Sequence, residues 1–163
     1  SIMPTHPDEW PIPDELTQWI GHEFEVGSEE IEAGAIRKFA DACMDPNPLW
    51  RDKEYALKTP YKGVIAPPTF YHCLQHAGYG RIDPPLPWKV VGRLNGGNEF
   101  EFFAPARPGD VVTGRANVVD VFGRISKRLG PTILWIIEVA YTNQKGRLLA
   151  KQRSTWIRYE AKG

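Results

Sequence analysis

Apolar residues recur along this chain at two different periods, and the change of period divides it in two. In the first half Ile36, Phe39, Ala40 and Cys43 fall three and four residues apart, one face of a helix. Asp45-Pro46 stops that helix, because a proline ring disfavours helical geometry in the residue before it. Asp52 is placed to cap a short second helix running through Leu57, and Thr59 to Gly63 is a loop. Ala66-Pro67-Pro68-Thr69 opens a third helix, since proline loses nothing in a first turn. Phe70, Cys73, Leu74 and Ala77 make its apolar stripe, and Gly78 and Gly80 end it. Ile82 to Trp88, with three prolines, is a linker.

After Lys89 the period shortens to that of strands. Phe100, Phe102 and the stretch Val111 to Val121 alternate with polar residues. Arg107-Pro108-Gly109-Asp110 is a turn, with proline pre-set for the second position and glycine free to take positive φ. Ile133 to Ile137 is a continuous apolar run, the texture of a central strand covered on both faces. Asn143 to Gly146 links it to a last strand, Leu148 to Tyr159. The order is one edge strand ahead of the helices, three helices, then a meander of long antiparallel strands. The expected class is α+β, one domain over residues 14–163 behind an N-terminal arm of residues 1–13. A sheet must cover its apolar face, and the helix from Pro68 to Ala77 is the candidate cover.

Length and charge narrow this further. A chain of 163 residues is one domain's worth, able to bury about 70% of its unfolded surface. Lys plus Arg number 20, as do Asp plus Glu, so the basic excess of a nucleic-acid binder is missing. No stretch approaches the roughly 20 apolar residues of a membrane-spanning helix. Two cysteines, Cys43 and Cys73, make no disulfide framework, and their apolar-periodic settings suggest buried free thiols in a reducing, cytoplasmic setting. The opening Ser1-Ile2 precedes either a native Met3 or the body of a longer chain.

Three segments carry a resemblance. Asp45-Pro46-Asn47-Pro48-Leu49-Trp50, with Ala56 six residues on, resembles the Asp-x-Asn-Pro-aliphatic-His signature of (R)-specific enoyl-CoA hydratases. Gly63 to Phe70 is similar to the opening of the central helix in the N-terminal type of MaoC-like dehydratase domain. Gly96-Gly97-Asn98-Glu99-Phe100, the Arg107–Asp110 turn and Tyr141-Thr142-Asn143-Gln144 are similar to the same group. The resemblance spans about residues 14 to 160. It implies a hot-dog fold, a curved antiparallel sheet wrapped around a central helix. It also implies a lyase of fatty-acid metabolism that hydrates trans-2-enoyl thioesters to 3-hydroxyacyl thioesters. Coenzyme A or an acyl carrier protein would be part of the substrate, with no metal or redox cofactor.

The departures matter as much. The family works with an Asp and a His on the attacking water. Asp45 matches the Asp, but Trp50 stands at the His, and indole is a donor that cannot shuttle protons. Pro67-Pro68 replace the segment whose backbone N–H groups polarise the thioester carbonyl, and neither proline has one, leaving Thr69 or a partner to donate. The resemblance therefore implies a half that has lost its motif and pairs with a second MaoC-like chain carrying the Asp/His pair. The alternative is a non-catalytic homodimer that binds acyl thioesters or a partner enzyme.

Residues worth following are Asp45 as a catalytic carboxylate, and Asn47, Trp50, Pro68, Thr69, His72, Gly97 and Asn98 as substrate contacts. Each has a plainer reading. Asp45 and Asn47 suit a turn that bonds its own backbone. Trp50 fills the space a histidine would leave. His72 and His76 have a metal-ligand spacing but no third ligand, so structural histidines are favoured, although His72 is also the first substitute for the missing base. Gly96-Gly97 suits a strand bulge, and Glu99 and Glu101 a solvated strand face. Arg124, Lys127 and Arg128 are either a contact for coenzyme A phosphates or exposed turn charges.

Overall fold

A computed structural model describes residues 9–74 and 84–161. In chain order the elements are β1 (Glu9–Trp10), α1 (Asp14–Thr17), β2 (Glu23–Glu30), α2 (Ala33–Ala42), a 3-10 turn Pro48–Trp50, α3 (Lys53–Lys58), a 3-10 stretch Pro68–Cys73, and four long strands: β3 (Val91–Phe102), β4 (Val111–Ser126), β5 (Gly130–Thr142) and β6 (Leu148–Glu160). All pair antiparallel in one six-stranded sheet, in the order β4-β5-β6-β3. β2 and β1 share the far edge of β4, β2 along Val111–Asn117 and β1 at Gly123 and Arg124. Glu9–Trp10 thus sit on the sheet, inside the stretch expected to form an arm. On the opposite edge, β3 pairs only with β6 among the described residues. The register shifts at Glu25/Gly27, Asn95/Gly97 and Val118/Asp120, and such bulges bend and twist a sheet.

The alternate residues Ile133, Trp135, Ile137, Val139 and Tyr141 of β5 are each 2% exposed or less, against Ile36 and Ala40 of α2 and Phe70 and Tyr71 of the 3-10 stretch. Phe39 meets Phe70 edge-on at 5.6 Å, fastening helix to turn. On the other face of β5, Leu134 is buried and Ile136 half-buried, so the Ile133–Ile137 run is covered on both faces in part, and the cover ends at Glu138. There Glu138 pairs at the surface with Arg153 (2.9 Å) and Lys151 (3.7 Å). Leu134 shares its cross-strand row with Phe122, Ile157 and Leu94.

The cysteine expectation fails. Cys43 and Cys73 are both exposed. α2 ends at Ala42, so Cys43 lies past the helix face that its spacing assigned it to. Cys73 is on a 3-10 stretch, whose three-residue turn rotates positions away from where a 3.6-residue period puts them. That stretch is the described part of the expected third helix; Ala77, Gly78 and Gly80 lie outside the described residues.

Candidate functional site

The chain from Ala40 to Trp50 is held by local bonds of known type. α2 closes with Met44 left-handed (φ 55°), its N–H on the Asp41 carbonyl and the Asp45 N–H on the Ala40 carbonyl. This paired closure turns the chain sharply and presents the Asp45 side chain to the residues that follow. Asp45 Oδ1 accepts the Asn47 N–H at 3.0 Å, and Asn47 Oδ1 accepts the Leu49 N–H at 3.0 Å. The indole Nε1–H of Trp50 donates to Asp45 Oδ2 at 2.8 Å, and Trp50 is 8% exposed. Arg51 reaches back to the Asp45 carbonyl oxygen (2.9 Å) and to Asp41 (2.7 Å).

The Asn47 N–H, the Trp50 indole and the Arg51 charge together hold the Asp45 carboxyl below the usual carboxylate range, against a smaller opposing effect of burial. Both carboxylate oxygens are thus engaged by donors within five residues, and neither donor can take up a proton. Trp50, which stands beside this carboxylate, is a donor that does not exchange its proton with water. At the next loop, Pro67 is buried and Pro68 exposed, and Thr69 carries the first N–H of the 3-10 stretch.

A second cluster lies on the inward face of β6. Tyr141 Oη donates to Gln152 Oε1 (2.8 Å), Gln152 Nε2 to Asn98 Oδ1 (3.1 Å), and Ser154 Oγ to the same Asn98 oxygen (2.7 Å). Tyr71, His72, Asn98, Gln152 and Ser154 line a cavity of about 250 Å³. The Tyr71 hydroxyl is buried without a hydrogen-bond partner among the described residues. Burial, with a lesser push from Asp110, raises its pKa, so it stays a neutral phenol.

The sequence candidates therefore fall into separate places. Asp45, Asn47 and Trp50 share the loop after α2, while His72 and Asn98 line the sheet cavity. His72 is exposed and meets the Phe100 ring edge-on at 5.0 Å. Gly96 is the unpaired residue of the β3 bulge, and Gly97 beside it pairs with Thr155 and gives its N–H to Asn95 Oδ1. His76 lies outside the described residues, and no group of three metal-binding side chains occurs among those described. Glu99 and Glu101 are exposed, as are Arg124 near the end of β4 and Lys127 and Arg128 in the β4–β5 turn. Gln152 and Ser154 were missed, although uncharged polar residues in step with Ala150 and alternating with Lys151 and Arg153 were a readable signal.

A family model described as the FAS1-like dehydratase domain region matches residues 18–152. A UPF0336 protein of Thermobifida fusca is 39% identical over 106 residues, 63% of this chain and 70% of that protein. A probable enoyl-CoA hydratase alpha subunit of Thermomonospora curvata is 26% identical over 164 residues, covering 90% of this chain; the chain spans 51% of that relative. Among solved structures, the HadBC (3R-hydroxyacyl-ACP dehydratase) complex of Mycobacterium tuberculosis superposes with a TM-score of 0.69 at 22% identity, over 85% of this chain and 96% of that one. A MaoC-like dehydratase from Rhodospirillum rubrum gives 0.66 at 22%, over 88% and 94%. The α+β arrangement is thus the hot-dog fold.

Proposed function

The chain belongs to the FAS1-like dehydratase domain region family, within the MaoC-like dehydratase superfamily, and from that premise we propose that it is the motif-degenerate half of an acyl-thioester hydratase/dehydratase. Its partner is a second hot-dog chain that carries an intact Asp/His pair. The reaction is the reversible addition of water to a trans-2-enoyl thioester, giving a 3-hydroxyacyl thioester carried on coenzyme A or acyl carrier protein. One observation carries the reading: the Trp50 indole donates to Asp45 at 2.8 Å, where the family's chemistry needs a group that exchanges protons.

The open edge of β3 supports the pairing. Twelve residues of strand leave one side without a partner strand among the described residues, and Leu94 and Phe102 beside it are 45% and 48% exposed. Unpaired strand edges of this length are templates for another strand. The dehydratase of Mycobacterium tuberculosis, similar in fold, is itself described as a complex.

The test is enoyl-CoA hydration, followed by loss of enoyl absorbance, for the chain alone and after co-purification with a MaoC-like chain from its source. The chain alone is expected to run about 100- to 10,000-fold slower than the complex. A turnover of several per second by the single chain would overturn the reading. A stable homodimer that binds enoyl-CoA without turning it over, and takes no partner, would establish the non-catalytic alternative.

A further inference from the structure

A cavity of about 620 Å³ lies beside the loop that holds Asp45, and every charged residue that lines it is cationic. Arg37 of α2, Lys53 of α3, Arg51, and Arg107 of the turn ahead of β4 all line it, with Trp50 and Ala33; no aspartate or glutamate does. In a chain of zero net charge this is a local excess. Arg51 is engaged by Asp41. The Arg107 guanidinium gives one N–H to the Tyr61 carbonyl, a neutral acceptor, and makes no ion pair among the described residues. Gly63 leaves room for it, since a Cβ there would stand 3.3 Å from Arg107 Nη1. Arg37 and Lys53 are exposed and have no acidic partner among the described residues. Ala33 begins α2, which no side chain caps, so the positive end of the helix faces the same space.

Arg37, Lys53 and Arg107, drawn from three parts of the chain and without an acidic partner among the described residues, around a cavity whose lining holds no carboxylate, make a receptor for a multiply charged anion. Guanidinium groups suit phosphate because their parallel N–H groups match its oxygens, and a lysine adds a point charge. We infer that this cavity binds the phosphorylated end of a pantetheine thioester carrier. This rests on the proposed function, which supplies the thioester. The shared chemistry is a phosphate ester on pantetheine, from coenzyme A or from the phosphoserine linkage of an acyl carrier protein. The exposed triplet Arg124, Lys127 and Arg128, more conspicuous in sequence, has no part in the cavity.

The experiment is calorimetric titration of the full chain, with its partner where one co-purifies, using crotonyl-coenzyme A, crotonyl-pantetheine and crotonyl-acyl carrier protein. Variants are Arg37→Ala, Lys53→Ala and, as a control, Arg128→Ala. Crotonyl-coenzyme A is expected to bind about tenfold or more tighter than crotonyl-pantetheine, and each of the first two variants to remove most of that advantage. The control should remove none, and raised salt should weaken only the phosphorylated ligands. A dependence on Arg37 and Lys53 seen with the carrier protein but not with crotonyl-coenzyme A identifies the phosphoserine source. If all three thioesters bind and neither variant matters, or Arg128→Ala matters as much, the inference falls while the proposed function stands. If no acyl thioester binds at all, the proposed function falls and takes the inference with it.

Discussion

The loop after α2 and the polar cluster on β6 hold similar numbers of hydrogen-bonding side chains, yet their balances differ. In the loop, Asp45, Asn47 and Trp50 satisfy one another and their own backbone, all within six residues of chain. On the sheet, Tyr141, Gln152, Ser154 and Asn98 are joined across three strands, and the Tyr71 hydroxyl beside them has no described partner. The segment with the clearest family motif has its carboxylate engaged locally, and one of the unsatisfied polar groups, the Tyr71 hydroxyl, lies beside residues of the less specific segments. A recognisable motif therefore locates a place in the fold without showing that its chemistry survives.

Removing the tryptophan is the most forceful way to break the comparison. Trp50→Ala empties a buried indole site and takes away the donor on Asp45; a loss of about 3–5 kcal/mol in urea unfolding is expected. Trp50→Phe keeps an aromatic ring in the site and loses the N–H and part of the indole's volume, so it should retain more than half of that stability. If the two variants lose equally, the bond to Asp45 rather than packing fixes the loop.

The sheet cluster should respond with opposite signs at two positions. Gln152→Leu removes the side chain that both accepts from Tyr141 and donates to Asn98, at a cost of about 2 kcal/mol. Tyr71→Phe deletes an orphaned hydroxyl and should stabilise by about 1 kcal/mol. The readout is the urea midpoint at unchanged m-value. A Tyr71→Phe variant that is less stable would mean that the hydroxyl does have a partner in solution.

How much of this was legible follows from the range over which each feature is encoded. The Asp52 cap, bonded to the Tyr55 N–H at 3.0 Å, and the Arg107–Asp110 turn, with Gly109 at φ 86°, are set by residues three apart, and sequence shows both. The long strands are equally plain, because alternation persists over a dozen residues. The exposure of Cys43 is not, since it depends on where α2 stops, and Met44 supplies the left-handed closure without the glycine that would signal it. The cationic cavity is invisible in sequence for a different reason: Arg37, Lys53 and Arg107 come from separate elements, and only the tertiary fold gathers them.

Acid titration gives a finer probe of the loop. Asp45 has a folded pKa below its ordinary value of 3.8. A depressed carboxylate stabilises the fold above its unfolded pKa, and the contribution is lost as pH falls through the folded pKa. Asp45→Asn should therefore lower the melting temperature at pH 6 and converge with the parent as pH drops below 3.8 toward the folded value. A gap that stayed constant down to that region would show the carboxyl to be titrating normally.

The smallest effect expected is at the residue that starts the loop. Met44 is 88% exposed and left-handed, so its side chain contributes little packing while its Cβ strains the backbone. That strain is of order 1–2 kcal/mol for a residue other than glycine. Glycine removes it, but gains more freedom in the unfolded chain and so returns part of the advantage. Met44→Gly should therefore stabilise by about 0.5 kcal/mol, raising the melting temperature by about one to two degrees for a domain of this size. The bonds Met44 N–H to Asp41 and Asp45 N–H to Ala40 need only the backbone, and they should survive the change. Substitution by valine, whose branched Cβ is worst suited to the left-handed region, should act in the opposite sense and loosen the presentation of Asp45 to Trp50. If glycine destabilises and valine does not, α2 does not close through Met44, and the local bonding that sets this loop apart from the sheet cluster would have to start elsewhere.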